Sequence, residues 1–247
     1  MTGHGPERLR LASEALGRHL SELGTDGATQ YRPPGEVPQG LPETLREIAA
    51  LSTRGSVAFA SREAWTLVVP PFPLAERRDY DGMVADPLLR LVARSLTYAV
   101  FLLRLGGFAV GVYRDDALLV SKVDQRFVKN RNRKGGQSQR RFERIREKQI
   151  DELFKKACET ARERLSPFED GIQWVVLGGD RRTMLAFRRA CDYIDRFGAR
   201  LRADVLPVPG DPRHATLLSM PRAVRMSDVY VVRRSADAQA ANSTIGA

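Results

Sequence analysis

Apolar residues recur at three- and four-residue spacing in Leu9, Ala12, Leu16, Leu20 and Leu23. That spacing predicts a helix over 8–23, stopped by Gly24. Residues 31–42 hold four prolines and read as a connector. A short helix is expected over 44–51. Ser56 to Phe59 and Trp65 to Val69 read as a hairpin turning at Ser61-Arg62-Glu63, with Trp65 as a packing anchor. Pro70, Pro71 and Pro73 end it. Asp86 as N-cap and Pro87 at the first helical position predict a helix over 86–95.

Three β segments then follow closely. Tyr98 to Leu105 is apolar throughout, as a strand buried on both faces would be. Gly106-Gly107 makes a tight turn into Phe108 to Tyr113, and Asp115-Asp116 turns into Ala117 to Val123. Phe142, Ile145, Gln149, Leu153, Phe154, Ala157, Ala161 and Leu165 mark one face of a long helix. Ile172 to Leu177 reads as a buried parallel strand, and Asp180 as the N-cap of a helix over 181–197. A strand over 201–208, a helix over 212–220 and a strand over 228–232 complete the series. A meander, a helix and then alternating strands and helices predict an α/β domain with a mixed sheet. The expected organisation is an N-terminal helix, connector and hairpin extension over 1–85, a second domain over 86–234 and a disordered tail over 235–247.

Charge changes this picture. The chain carries net charge +10, and Lys122 to Lys148 alone holds eleven Lys/Arg against three Asp/Glu. Charge concentrated in this way points to a polyanion, with nucleic acid as the first candidate. Residues 129–134 contain no apolar side chain, so like-charge repulsion is expected to keep them extended and disordered in the free protein. Gly135 and Gly136 reach backbone angles closed to other residues and permit close approach to another molecule. Ser138 is a candidate cap for the helix that follows. Lys122, Arg126, Lys129, Arg131, Arg133, Lys134, Arg140, Arg141, Arg144 and Lys148 are the candidate RNA contacts.

Other chemistry is poorly supported. Gly178-Gly179-Asp180 lacks both dinucleotide and P-loop spacing and reads as a capped turn. Asp115, Asp116 and Asp180 sit at turns rather than within strands, which disfavours a two-metal nuclease. His4, His19 and His214 are scattered, so neither a metal site nor a histidine triad is legible. No cofactor is expected. Cys158 and Cys191 lie in helical patterns without CxxC spacing and are expected to be buried or neutral thiols of a reducing compartment. No run of membrane length and no signal-peptide core is present, so a cytoplasmic protein is expected.

Arg133-Lys134-Gly135-Gly136-Gln137-Ser138 followed by Arg141-Phe142-Glu143-Arg144-Ile145-Arg146 resembles the Gly-Gly-Gln middle domain of eukaryotic and archaeal peptide-chain release factors. The wider chain resembles the Vms-like release-factor family, in particular its stand-alone actinobacterial peptidyl-tRNA hydrolases. Gly106 to Val112, Ser121-Lys122-Val123, Leu177 to Arg181 and Ala223-Val224-Arg225 carry that resemblance across roughly 86–232. It implies an RNase H-like fold. It also implies hydrolysis of the ester joining a nascent peptide to tRNA, with the large ribosomal subunit's rRNA and peptidyl-tRNA as partners and no role for DNA. The candidate catalytic residues are then Gly135, Gly136, Gln137 and Gln139. The release-factor pattern favours Gln137, while stand-alone members often keep a glutamine at the position of Gln139. Nothing here resembles a codon-reading domain, so rescue of stalled or obstructed subunits fits better than ordinary termination. A non-catalytic rRNA-binding module and a nuclease cutting the tRNA 3′ end remain as alternatives.

Overall fold

A computed structural model of the protein describes residues 5–128, 137–208 and 210–234, with 137–139 described by backbone alone. The expectations of a disordered basic segment over 129–134 and a disordered tail over 235–247 lie outside these residues. The elements run β1 (Glu7–Leu11), α1 (Ser13–Ser21), β2 (Ala28–Arg32), α2 (Glu43–Leu51), β3 (Ser56–Ala60), β4 (Ala64–Val69), β5 (Arg78–Asp81) and α3 (Asp86–Ala93). They continue with β6 (Thr97–Arg104), β7 (Gly107–Arg114), β8 (Ala117–Gln125), α4 (Gln137–Leu165), β9 (Trp174–Gly179), α5 (Arg181–Ala190), α6 (Asp192–Asp195), β10 (Leu201–Leu206), α7 (His214–Val224) and β11 (Ser227–Arg233). The chain divides into two compact units, Met1–Arg94 with Arg225–Ala247, and Ser95–Val224.

The first unit is built on an antiparallel sheet ordered β1-β11-β4-β3-β2-β5. It is a six-stranded sheet rather than the expected helix and hairpin alone. The segment expected as the start of the first helix is a strand, because Leu9 and Leu11 alternate with Arg8 and Arg10 and the strand pairs with β11. Tyr31 and Arg32, expected in a connector, close β2 against β3. The α3 helix begins at Asp86 itself, with Ala85 as an N-cap that makes no side-chain bond. Both α3 and β11 belong to this unit, so the domain boundary expected at residue 86 falls instead near Arg94, and the chain returns at Arg225. Leu16, Leu20, Leu88 and Val92 cover one sheet face against Val57, Phe59 and Val68, while Leu45 and Ala49 cover the other against Ala58 and Leu67.

Asp228 ties this sheet together. It stands on β11, 7% exposed, and accepts from Arg8 Nη2 at 3.1 Å and Arg54 Nη2 at 2.8 Å. Arg10 Nε lies 3.5 Å away. Burial alone pushes its carboxyl up, but the hydrogen bonds from Arg54 and Arg8 outweigh this and hold it below the usual carboxylate range.

The second unit is the mixed α/β domain, with strand order β10-β9-β6-β7-β8. The three meander strands pair antiparallel, and β9 and β10 join parallel to β6. This is the RNase H-like order that the resemblance implied. Ala99, Phe101, Leu103, Phe108, Val110 and Val112 face Leu153, Phe154, Ala157, Met184 and Phe187 of α4 and α5. On the opposite face Tyr113 donates from its hydroxyl to the Leu217 carbonyl of α7 at 2.9 Å and stacks on Tyr98. The layers are therefore helix, sheet, helix.

The turn after β9 requires glycine. Gly179 has φ +117°, and a Cβ there would lie 2.2 Å from the Leu103 carbonyl oxygen. Asp180 then caps α5 as expected, accepting from the Thr183 backbone N–H at 2.8 Å and its hydroxyl at 2.6 Å. The bonds from Thr183 hold the Asp180 carboxyl below its usual range, and Arg104 and Arg182 add to this. The helix expected over 181–197 breaks at Cys191, which is extended (φ −130°, ψ 100°).

Asp228→Asn should cost about 2 kcal/mol, because Arg54 loses a charged partner at a nearly buried site. The folded carboxyl ionises at lower pH than in the unfolded chain. Its stabilisation is therefore present above the usual carboxylate range and is lost as pH falls through the folded value. Urea unfolding at neutral pH, and again well below that range, should show the variant and the parent converging in acid.

Candidate nucleic-acid interface

The sheet delivers the chain to the interface through β8, an edge strand. Lys122 pairs with Val110 in register and is exposed. At the strand's end the Arg126 N–H donates to the Gly106 carbonyl at 2.9 Å, which brings the base of the basic segment back to the β6–β7 turn. Arg126 itself is exposed, Val128 packs partly against the core, and Phe127 between them is 77% exposed. An exposed ring beside cations is the combination that stacks bases while holding phosphates. Phe127 is not among the contacts predicted from sequence, although an apolar pair, Phe127-Val128, between Arg126 and a stretch without apolar side chains is its visible signal.

Lys129, Arg131, Arg133, Lys134, Gly135 and Gly136 lie outside the described residues. The chain is described again at Gln137, the first residue of α4. Gln137 and Gln139 therefore both occupy the first turn of that helix. Ser138 falls inside the helix rather than at its cap, because the helix begins one residue earlier.

α4 has two unlike halves. Arg140, Arg141, Arg144 and Lys148 are exposed, as the sequence predicts. Phe142, expected to dock on the core, is 39% exposed, and among the described residues of α4 the first that is fully buried is Leu153. From there Phe154, Ala157, Ala161 and Leu165 bury one face against the sheet. Residues 137–148 carry five Lys/Arg and two Glu, whereas 149–165 carry four of each sign. The overhanging half is cationic and the anchored half is neutral. No acidic residue lies in the first turn of α4. Cations near a helix N-terminus oppose its dipole, so Arg140 and Arg141 weaken the helix slightly. Their charge adds to the positive helix end and makes this tip strongly attractive to phosphate.

Two of the three acidic turn residues, Asp115 and Asp180, have structural work. Asp115, at φ 55°, accepts from the Leu96 N–H at 2.9 Å and the Ser95 hydroxyl at 2.7 Å, and Asp180 caps α5. Among the described residues no group of three or more His, Cys, Asp or Glu is placed to hold a metal ion. Also among them, no helix is long and apolar enough to cross a membrane.

The expectation for the cysteines is corrected. Cys158 and Cys191 form a disulfide, with Cα atoms 5.6 Å apart. The sequence hides this because the two residues are 33 apart and meet only when α4 packs beside the α5–α6 break.

The division of α4 predicts two opposite mutational outcomes. Leu153→Ala should destabilise the fold by about 3 kcal/mol through lost burial and a cavity. Arg140→Glu, Arg141→Glu and Arg144→Glu together should change stability by no more than about 0.5 kcal/mol. Chemical denaturation of the two variants measures both.

Comparison with known proteins adds the family. The chain is 32% identical over 117 residues to peptide chain release factor subunit 1 of Archaeoglobus fulgidus, covering 47% of this chain and 29% of that protein. It is 27% identical over 199 residues to the same subunit of Aeropyrum pernix, covering 76% and 52%. The chain thus spans between about a third and a half of these relatives. A crystal structure of an archaeal translation termination factor aligns with a TM-score of 0.41 and 18% identity, covering 95% of this chain and 74% of that one. The family model of the Actinobacteria/chloroflexi VLRF1 release factor matches residues 96–230, more than half of the chain, from the start of the mixed sheet into β11. With its Gly-Gly-Gln sequence leading into the cationic half of α4, the chain belongs to that release-factor family.

Proposed function

We propose that the protein is a ribosome-dependent peptidyl-tRNA hydrolase that frees nascent chains from stalled or obstructed large subunits. The observation that carries this reading is the release-factor family match over 96–230, spanning Gly135-Gly136-Gln137 and the exposed cationic half of α4. The partners are rRNA of the large subunit and peptidyl-tRNA, and the site of action is the cytoplasm.

The chemistry needs little from the protein's own ionisable groups. Water attacks the ester carbonyl carbon, the bond to the tRNA 3′ oxygen breaks, and that oxygen leaves with a proton. An ester is already activated, so the task is to position water and stabilise the developing oxyanion. A glutamine amide can orient the water, and a backbone N–H can donate to the leaving oxygen or the tetrahedral intermediate. Gln137 is assigned this role, with Gln139 as the neighbouring candidate. Gly135 and Gly136 lack the Cβ that would obstruct entry into a narrow RNA-walled site. Lys122, Arg126, Lys129, Arg131, Arg133, Lys134, Arg140, Arg141, Arg144 and Lys148 neutralise phosphates and set register. Because the ribosome supplies part of the site, the free protein should have little activity on simple esters.

The test is single-turnover release from purified large subunits carrying peptidyl-tRNA, with peptide and tRNA separated on a gel. Gly136→Ala should abolish release. Gln137→Ala should lower the rate at saturating protein by about 100-fold while leaving affinity nearly intact, as loss of a transition-state interaction does. Gln139→Ala should show a smaller, mixed effect. Intact deacylated tRNA is the expected product. Shortened tRNA would make the protein a nuclease, and full release by Gly136→Ala and by the double glutamine variant would leave only an rRNA-binding module.

Binding is tested separately by co-sedimentation across salt concentrations. Reversing Arg140, Arg141 and Arg144 to Glu should weaken association and reduce the salt slope by about 3, roughly one for each lost phosphate contact.

A further inference from the structure

Cys158 lies on the anchored half of α4, and Cys191 is the extended residue that separates α5 from α6. Their disulfide therefore joins the root of the overhanging helix to a break between two others. The two sulfur-bearing residues are unequal. Cys191 is 1% exposed, in the core beside Met184, Phe187 and Ile194. Cys158 is only partly buried and lines a groove of about 530 Å³ together with Lys155, Glu159, Arg162, Glu163 and Ser166. The groove balances two cations against two carboxylates, so access rather than field strength carries the argument.

We propose that Cys158–Cys191 is a thiol–disulfide exchange site, entered from the groove by a dithiol, and that its redox state sets how firmly the root of α4 is held. A thiolate of the dithiol attacks Cys158 Sγ, the S–S bond breaks, and Cys191 leaves as a thiolate that takes up a proton. The second thiolate of the reagent then attacks the mixed disulfide and releases Cys158, which is protonated in turn. The protein gains two electrons and two protons, and the dithiol becomes a disulfide. Attack at Cys191 is blocked by its burial. The biological use of the site rests on the ribosomal reading above. Ribosomes work in a reducing cytosol, where a disulfide that forms is reversible or redox-sensing rather than a permanent staple.

The mechanical consequence follows from helix geometry. About 24 Å of α4 precedes Leu153, and about 18 Å runs from Leu153 to Leu165. A small change of angle in the anchored part is therefore magnified at Gln137. Catalysis by positioning is sensitive to displacements on the order of 1 Å. Tyr193, whose hydroxyl donates to Glu169 Oε2 at 3.1 Å, remains as a second hold on α6, so opening the disulfide should loosen the root without unfolding it.

The experiment uses the full chain equilibrated in a series of dithiothreitol redox buffers, followed by alkylation and intact-mass measurement. Hydrogen exchange is then measured on both end states. Cys158 and Cys191 should titrate together as one two-electron couple. Amides of 150–165 and 192–197 should exchange at least several-fold faster after reduction and return on reoxidation. Glutathione disulfide should form an adduct at Cys158 in Cys191→Ser, whereas Cys191 in native Cys158→Ser should stay unmodified. Should either variant not fold, reduction and reoxidation of the parent protein reads the same loosening. Two alkylated thiols in the most oxidising buffer, adduct formation at Cys191 rather than Cys158, or identical exchange in the two states would each overturn the proposal. None of these readouts involves peptide release. Their failure leaves the hydrolase reading standing, and failure of release leaves the exchange site standing.

Discussion

The structure depends on a mismatch of lengths. α4 has 29 residues and is about 43 Å long, while β7, the strand it packs on most, has eight residues and spans about 26 Å. A helix this much longer than the strand beneath it has a part that lies beyond that strand. The apolar positions decide which end. Leu153, Phe154, Ala157, Ala161 and Leu165 hold the C-terminal part down, and each fully buried large side chain contributes about 2 kcal/mol of burial. Ile150 packs partly against the same core, and among the described residues before it α4 has no fully buried side chain. The exposed N-terminal half of the helix is a direct product of this geometry.

The charge distribution follows the same division. Where α4 packs, its charges cancel. Where it overhangs, cations accumulate at the helix end that electrostatics disfavours. A free-standing domain gains nothing from that placement. A domain that meets polyphosphate recovers the cost on binding. The glycine-demanding turn at Gly179 and the tight Gly106–Gly107 turn lie on the opposing side of this economy, since they serve the sheet rather than the partner.

Sequence legibility followed physical cause. The meander and β9 were readable because continuous apolar runs closed by glycine or aspartate turns have few other structural solutions. α2 and the β3–β4 hairpin were readable for the same local reasons. β1 was not, because Leu9 fits both a helical and an alternating pattern, and the choice is made by pairing with β11 more than two hundred residues later. β5 was missed because Arg78-Asp79-Tyr80-Asp81 offers a single apolar residue, which is enough for an edge strand supported on one side by β2. At the site, the charge run and the exposed arginines were legible, since charge needs no tertiary context. The docking of Phe142 was not, because periodicity gives the buried face of a helix without showing where the sheet beneath it ends. The disulfide was illegible because two helices must first be placed side by side.

The position of β11 in the sheet sets an order of events during synthesis. β11 lies between β1 and β4, yet it follows β4 by the whole of the second unit. Until it emerges, β1 has no neighbour and one side of β4 is an open edge bearing Leu67 and Val69. The second unit, whose strands are all contiguous within 95–224, has every partner it needs by the time Val224 is made. The first unit therefore completes its sheet after the second, and β4 keeps an unpaired edge until 95–224 has been made. For this sheet, maturation is an act of closure performed by β11.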